Sequence, residues 1–151
     1  MTPGTPETPE APPEPRFALS VKQPWAALLA HGVKCVEVRT WPASRRGRIL
    51  IHASKIPDER PEAWQWVTTP ELRLAAGLRG GVVGEGELTG CVRYGTAAAF
   101  EADAGRHLNA PDWYVEAGLF GLTFRELRPV PFYAVPGNTF FFRVEGFPAH
   151  D

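Results

Sequence analysis

The stretch GVKCVEVRTW, residues 32–41, brings together three side chains that can bind or catalyse: Lys34, Glu37 and Arg39. A partly desolvated lysine beside a carboxylate and a guanidinium can bind an anion or act as an amine with a shifted pKa. A glutamate accepts hydrogen bonds from an exocyclic amine such as that of cytosine, and an arginine forks onto a phosphate or a base edge. The three residue types therefore suit a ligand that carries both a base and a phosphate.

The alternation of a β-strand predicts how these side chains are presented. Val36 and Val38 share one face with Lys34, and Glu37 and Arg39 share the other, ~7 Å apart. We take the valine face as the core face. Lys34 directly follows a glycine turn, so we expect it at the rim of a cleft with its ammonium extended outward. Glu37 and Arg39 either contact a ligand or form an ion pair that braces the strand.

Aromatic and basic residues flank the charged group. Trp25 is expected to pack a helix near the cleft, while Trp41, at the end of the strand, is the candidate stacking platform for a base. Arg45, Arg46 and Arg48 form a candidate basic rim that follows phosphates, or else a solvated loop.

The next strand adds two candidates. His52 and Ser54 share one face of it by parity and are predicted to line the same cleft, unless His52 is a hydrogen-bonded barrel residue. Cys35 and Cys91 are far apart without a CxxC pair, which indicates reduced thiols. We find no phosphate-binding loop, dinucleotide fingerprint, Ser-His-Asp order or metal-ligand cluster, so we expect neither a cofactor nor a metal.

Short strands and helices must position these residues. The helix QPWAALLAHG has Pro24 in its first turn and Gly32 at its end. Strands are predicted over residues 17–21, 33–41, 45–54 and 80–94, with two or three closing strands over 118–146. Helical pieces are predicted within 58–78 and over 96–104, the second with Thr96 as its candidate N-cap, and a loop is predicted over 106–114. Together these elements predict an α+β protein, a small β-barrel with a few surrounding helices.

Composition limits the organisation of the chain. Residues 1–15 hold six prolines and three glutamates without a large apolar side chain, so residues 1–16 are predicted to be a disordered tail before one domain over 17–147. Without those glutamates, 16 basic residues face 14 acidic ones, which excludes a strongly basic nucleic-acid domain but not a local basic cluster. No apolar run reaches the ~20 residues of a membrane span, and a signal-peptide pattern is missing. We expect a cytoplasmic monomer that does not bind a membrane.

The motifs resemble a known family. LSVKQPWAALLAHGVKCVEVRTWP is similar to the start of the ASCH (activating signal cointegrator homology) domain, whose hallmark is a QPWA-type helix followed by a GxKxxExR strand. Here the hallmark residues are Gln23 to Ala26, then Gly32, Lys34, Glu37 and Arg39. RRGRILIHASK, GEGELTGCV and VPGNTFFFRV resemble later strands of the family, so the likeness runs from about residue 19 to 144.

The resemblance implies a PUA-like fold and a cleft between the barrel mouth and the first helix, with Gln23 among the ligand-binding residues. PUA-like proteins typically bind RNA, modified bases or nucleotides, and binding of RNA, a nucleotide or DNA is the function we favour. Some small ASCH proteins are amidohydrolases on an acylated cytidine, with a catalytic lysine and a threonine at the position of Glu37. An amidohydrolase that uses Lys34 and Glu37 is therefore the first alternative, and a protein-interaction module the second.

Overall fold

The computed structural model describes residues 16–148. The predicted tail lies outside this range except for Arg16, which is the first residue of a strand rather than the last of a tail. The strands are β1 (Arg16–Val21), β2 (Val36–Arg39), β3 (Gly47–Ala53), β4 (Gly81–Tyr94), β5 (Leu119–Ala134) and β6 (Phe141–Val144). The helices are α1 (Trp25–Ala30), α2 (Pro61–Trp64), α3 (Pro70–Ala76), α4 (Ala97–Ala102) and α5 (Ala104–His107), with a 3₁₀ turn at Pro111–Trp113.

The six strands form one mixed sheet in the order β2-β5-β4-β3-β1-β6. Strands β1 and β3 pair in parallel, and all other neighbours pair antiparallel. Register shifts occur within the β3–β4 and β4–β5 pairs, and such bulges bend the strands. The sheet therefore curls into a half-barrel, and the predicted α+β class is confirmed.

Helix α1 is buried on all sides. Each of its six residues is at most 5% exposed, and it packs against β3, β4, β5 and α3. A side chain at Gly84 of β4 would lie only 2.5 Å from the Cβ of Ala30, so the glycine lets the helix sit directly on the sheet. This close packing fixes the first turn of α1 relative to the strand ends around it.

Several predicted boundaries change. Strand β2 is limited to Val36–Arg39, within the predicted 33–41. The predicted loop over 106–114 contains the end of α5 and the 3₁₀ turn. Thr96 caps α4 as predicted, because its hydroxyl accepts a hydrogen bond from the backbone N–H of Ala99 at 3.1 Å. The closing region is one long strand, β5, followed by β6.

Three further properties concern the part of the chain that is described. None of its helices is long and apolar enough to cross a membrane. No group of three or more His, Cys, Asp or Glu side chains within residues 16–148 is arranged to hold a metal ion. Cys35 and Cys91 are both free thiols, as their separation in sequence predicted.

Candidate functional site

A cavity of about 290 Å³, here called the cleft, lies at one edge of the sheet. Because β1 and β3 run parallel, their carboxyl ends meet at the same edge, and the segments that follow them contribute to the cleft together with α1 and β2. The residues that line it are Ser20, Lys22, Trp25, Lys34, Glu37, Val38, Arg39, Ser54, Asp58, Arg60 and Asn109. The cleft thus joins the predicted charged group with residues from distant loops.

Lys34, Glu37 and Arg39 form one continuous ion-pair network in the cleft. The Lys34 ammonium donates a hydrogen bond to Oε1 of Glu37 at 3.0 Å. Arg39 donates to Oε2 of Glu37 through Nε at 3.2 Å and through Nη2 at 3.0 Å. Nη2 also donates to the carbonyl oxygen of Ser20 at 2.7 Å, which ties β2 to β1. Both oxygens of Glu37 are therefore held by cations.

The position of Lys34 differs from the prediction. The residue is 2% exposed, and its ammonium points inward, 4.3 Å from the ring centroid of Trp25, instead of out of the cleft mouth. Strand alternation does not apply to Lys34 because it precedes β2. Its backbone N–H donates to the carbonyl oxygen of Leu28 in α1 at 3.2 Å, which turns the side chain under the helix.

Burial and charge set the protonation of this network. Burial lowers the pKa of the Lys34 amine, and the opposing effect of Glu37 does not fully offset it. Burial raises the pKa of Glu37, but the charges and hydrogen bonds of Lys34 and Arg39 outweigh burial and leave that pKa below its ordinary value. Glu37 is therefore a carboxylate at neutral pH and a weak proton acceptor.

Asp58 and Arg60 form a second ion pair in the cleft that the sequence did not reveal. Arg60 donates to both oxygens of Asp58, at 3.0 and 2.7 Å, and the indole N–H of Trp25 donates to Oδ2 at 2.9 Å. Burial raises the pKa of Asp58, but these hydrogen bonds outweigh it and lower that pKa to about 2. The Arg60 guanidinium lies 3.5 Å from the ring centroid of Trp113, and Trp113 meets Trp25 edge to face. The Trp25 ring, which lines the cleft, is thus held in a fixed orientation by Asp58 and Trp113.

Asn109 is another residue that sequence reasoning missed. It follows Leu108, whose φ of 61° lies in the left-handed region, and its backbone N–H donates to Nδ1 of His107 at 2.9 Å. The side-chain oxygen of Asn109 is buried without a hydrogen-bond partner among residues 16–148. Such an acceptor is costly unless a ligand or solvent donor reaches it.

His52 and Ser54 both line a pocket beside the cleft, but only Ser54 also lines the cleft itself. Ser54, just beyond β3, lines the cleft. His52 is buried beneath it, and its Nε2 lies 2.7 Å from the carbonyl oxygen of Val135, so this nitrogen carries the proton and Nδ1 accepts from the Ser20 hydroxyl at 2.9 Å. Burial lowers the pKa of His52 more than the bond to Val135 raises it. His52 therefore supports Ser20 from behind and borders an adjacent pocket, not the cleft.

Gln23 was predicted to bind a ligand, but the structure places it away from the cleft lining. Its side chain is fully buried, and its amide nitrogen donates to the carbonyl oxygens of Ala75 and Leu78, each at 2.9 Å. Its amide oxygen accepts from the N–H of Ala27 at 3.0 Å. Gln23 thus joins α1 to the end of α3, and this QPWA residue has a structural role.

Trp41 and the arginines that follow it lie outside the cleft. Trp41, Arg45 and Arg46 line a separate pocket of about 490 Å³ with Phe140 and Phe141. Trp41 does not line the cleft, and its contact with the ion-pair network is limited to Arg39, whose guanidinium carbon lies 5.8 Å from the ring centroid of Trp41. The reason is that β2 ends at Arg39, before Trp41.

Arg48 lies in a third place, apart from Arg45 and Arg46. Its guanidinium is 3.5 Å from the buried carboxylate of Glu85 and 3.7 Å from Glu126. Arg16 and Arg128 also pair with Glu85. The three arginines of the predicted rim thus do not form one surface.

Comparison with known proteins assigns the family. The family model described as "ASCH domain" matches residues 19–129, which is more than half of the chain. The chain belongs to the ASCH domain family. It is 53% identical to human activating signal cointegrator 1 and 50% identical to the mouse protein over 38 residues, 25% of this chain. That segment is only 6% of either relative, so this ASCH chain matches a small part of them.

Solved structures show the same fold. The crystal structure of an ASCH protein from Zymomonas mobilis has a TM-score of 0.60 and 15% identity, over 87% of this chain and 88% of that one. A variant of that protein gives the same TM-score and identity, over 87% and 91% of the two chains. The resemblance seen in the sequence is confirmed, and with it the PUA-like α+β fold.

Proposed function

We propose that this ASCH chain binds RNA or a nucleotide, with one base or nucleoside in the cleft. The observation that carries the proposal is the buried Lys34, Glu37 and Arg39 network, held against Trp25 in a cavity of about 290 Å³. That volume is at the lower limit of ligand pockets, which run from about 300 to 1,000 Å³. A ligand the size of a nucleoside suits it better than a larger molecule.

The charge of the cleft supports an anionic ligand. Its lining carries four cationic side chains against two carboxylates. Lys34 has three N–H donors, of which one is used by Glu37, and Arg39 retains Nη1, for which the described residues provide no partner. These donors suit a phosphate or a carbonyl oxygen, while the unpaired oxygen of Asn109 suits an N–H of a base.

The state of Glu37 favours binding over catalysis. A general base needs a pKa near the working pH. Both oxygens of Glu37 are bonded to cations, and its pKa lies below the ordinary value. The carboxylate is therefore better suited to orient Lys34 and Arg39 than to accept a proton from a nucleophile.

Burial of Lys34 favours a second candidate, the amidohydrolase. Because burial lowers the pKa of this amine, a larger fraction of it is neutral than for an exposed lysine. In that case Lys34 would be the activated amine and Glu37 the carboxylate that positions it, with an acylated cytidine as the substrate.

One experiment separates the two candidates. The wild-type protein and the Lys34→Met variant, which keeps the length of the buried stem, are incubated with N4-acetylcytidine and, in parallel, titrated with a short single-stranded RNA. We expect RNA binding that weakens in the variant, without release of acetate. Acetate release by the wild type that is lost in Lys34→Met would instead establish the hydrolase. Equal RNA binding by both proteins would contradict the cleft as the binding site.

A further inference from the structure

The pocket at the end of β2 combines aromatic rings with cations. The Trp41 ring meets Phe140 edge to face at a centroid distance of 4.9 Å and Phe141 at 5.8 Å. The loop that completes the pocket carries Arg45 and Arg46. We call these five residues the aromatic patch.

Phe140 is solvent-exposed and has an unfavourable backbone conformation. It is 54% exposed, although most large apolar side chains of the described chain are covered. Its φ of 57° lies in the left-handed region, which bulky side chains rarely adopt. An exposed ring held in an unfavourable backbone conformation is a feature that folding alone does not explain, and it points to a contact with a ligand.

The cations of the aromatic patch give it a preference for an anion. The Arg45 guanidinium stacks on the ring of Phe17 at 3.6 Å and lies 5.9 Å from Phe141. Arg46 donates to the carbonyl oxygens of Ala43 and Arg45, each at 2.8 Å, so it fixes the loop. Both arginines are exposed, and among the described residues no carboxylate lines this pocket. Flat rings beside unopposed cations complement stacked bases joined by phosphates.

The aromatic patch is continuous with the cleft through Arg39. This side chain lines the cleft, while its guanidinium carbon lies 5.8 Å from the ring centroid of Trp41. A nucleotide chain that leaves the cleft past Arg39 therefore meets Trp41 and Phe140 next.

We propose that the aromatic patch binds the bases of single-stranded RNA that adjoin the nucleotide in the cleft. Phe140 is the stacking platform, and Arg45 contacts the phosphates. This inference rests on the proposed function, because the cleft must hold one nucleotide of the same strand. The affinity of the protein for RNA should then increase with the length of the single strand. A base-paired duplex should not bind the aromatic patch, because its stacked bases offer no free ring face.

The test compares ligands of two lengths. Titrations measure the affinity of the wild type for the common nucleoside monophosphates and for a single-stranded RNA of about eight nucleotides. The RNA is expected to bind about 10-fold more tightly or better, and Phe140→Ala to lose about 10-fold for the RNA alone. Phe140→Trp, which restores a ring, should keep the advantage. Phe132→Ala is the matched control, since Phe132 is 43% exposed on β5 and lies outside the patch.

The experiment distinguishes failure of the aromatic patch from failure of nucleotide binding in the cleft. If the monophosphates bind and lose affinity in Arg39→Gln, but the longer RNA gains nothing over them, the cleft binds nucleotides and the aromatic patch does not. The same conclusion follows if Phe140→Ala and Phe132→Ala have equal effects on RNA. If neither ligand binds the wild type, both proposals are wrong.

Discussion

Replacing Lys34 by methionine removes one charge of the buried network and leaves the hydrocarbon stem under Trp25. Removing one partner of a buried ion pair typically costs about 3–5 kcal/mol, because the other charge stays buried without a partner. Here Glu37 keeps two hydrogen bonds from Arg39, at 3.2 and 3.0 Å, so its charge is still compensated. We therefore expect Lys34→Met to lower the free energy of unfolding by about 2–3 kcal/mol.

Equilibrium unfolding in urea, followed by tryptophan fluorescence, measures this change. The control is Lys55→Met, which removes a lysine that is exposed near the same sheet edge. That variant should change the free energy of unfolding by less than about 0.5 kcal/mol. The double variant Lys34→Met with Glu37→Gln should be more stable than the sum of the two single effects predicts, by about 1–3 kcal/mol.

Two results would contradict a buried, interacting pair of Lys34 and Glu37. If Lys34→Met and Lys55→Met are equally stable, the Lys34 ammonium is not part of a buried pair. If the Lys34 and Glu37 substitutions are additive, the two side chains do not interact in the folded protein.

The other predictions concern neighbours of the network. Gln23→Leu should cost about 1–3 kcal/mol in urea unfolding, because the N–H of Ala27 and the carbonyl oxygen of Leu78 lose their hydrogen bonds to Gln23, and it should leave RNA affinity unchanged. The pKa of Asp58 is lowered from 3.8 to about 2 in the folded protein, so the ionised carboxylate stabilises the fold fully above pH 3.8 and loses this effect as the pH falls to about 2. The difference in unfolding free energy between the wild type and Asp58→Asn should therefore shrink over that pH range. Asn109→Ala should keep the unfolding midpoint but reduce discrimination between bases by about 1–3 kcal/mol in titrations with nucleosides. Arg45→Gln should weaken binding of all RNA sequences alike and reduce the salt slope by about 1, and a sequence-dependent loss would contradict a phosphate contact.

The sequence predicted the parts of the fold that rest on local patterns. The proline and glycine around α1 and the Thr96 cap are properties of neighbouring residues, and they appear as expected. The alternation predicted for β2 is wrong in one respect, because Val38 lines the cleft beside Glu37 and Arg39 instead of facing only the core. Together with the motif, the local patterns were sufficient for the α+β class and the family.

The site was less predictable because it depends on contacts between distant segments. Asp58 and Asn109 belong to connections after β3 and α5, and no local pattern relates either of them to Lys34. The burial of Lys34 depends on a backbone hydrogen bond to α1 that strand alternation does not describe. Trp41, Arg45 and Arg46 were predicted to border the cleft because they follow the charged group in sequence. Strand β2 ends at Arg39, and the three residues line a separate pocket instead.

An amide NMR titration of the isotopically labelled protein with a nucleoside monophosphate tests whether the cleft binds a nucleotide. If the cleft binds the nucleotide, the largest shifts will occur at the amides of Glu37, Arg39 and Asn109, and they will weaken in Arg39→Gln but not in Arg73→Gln, which removes an exposed charge on α3. Shifts confined to residues outside the cleft, or equal titrations of both variants, would contradict the cleft as the nucleotide-binding site.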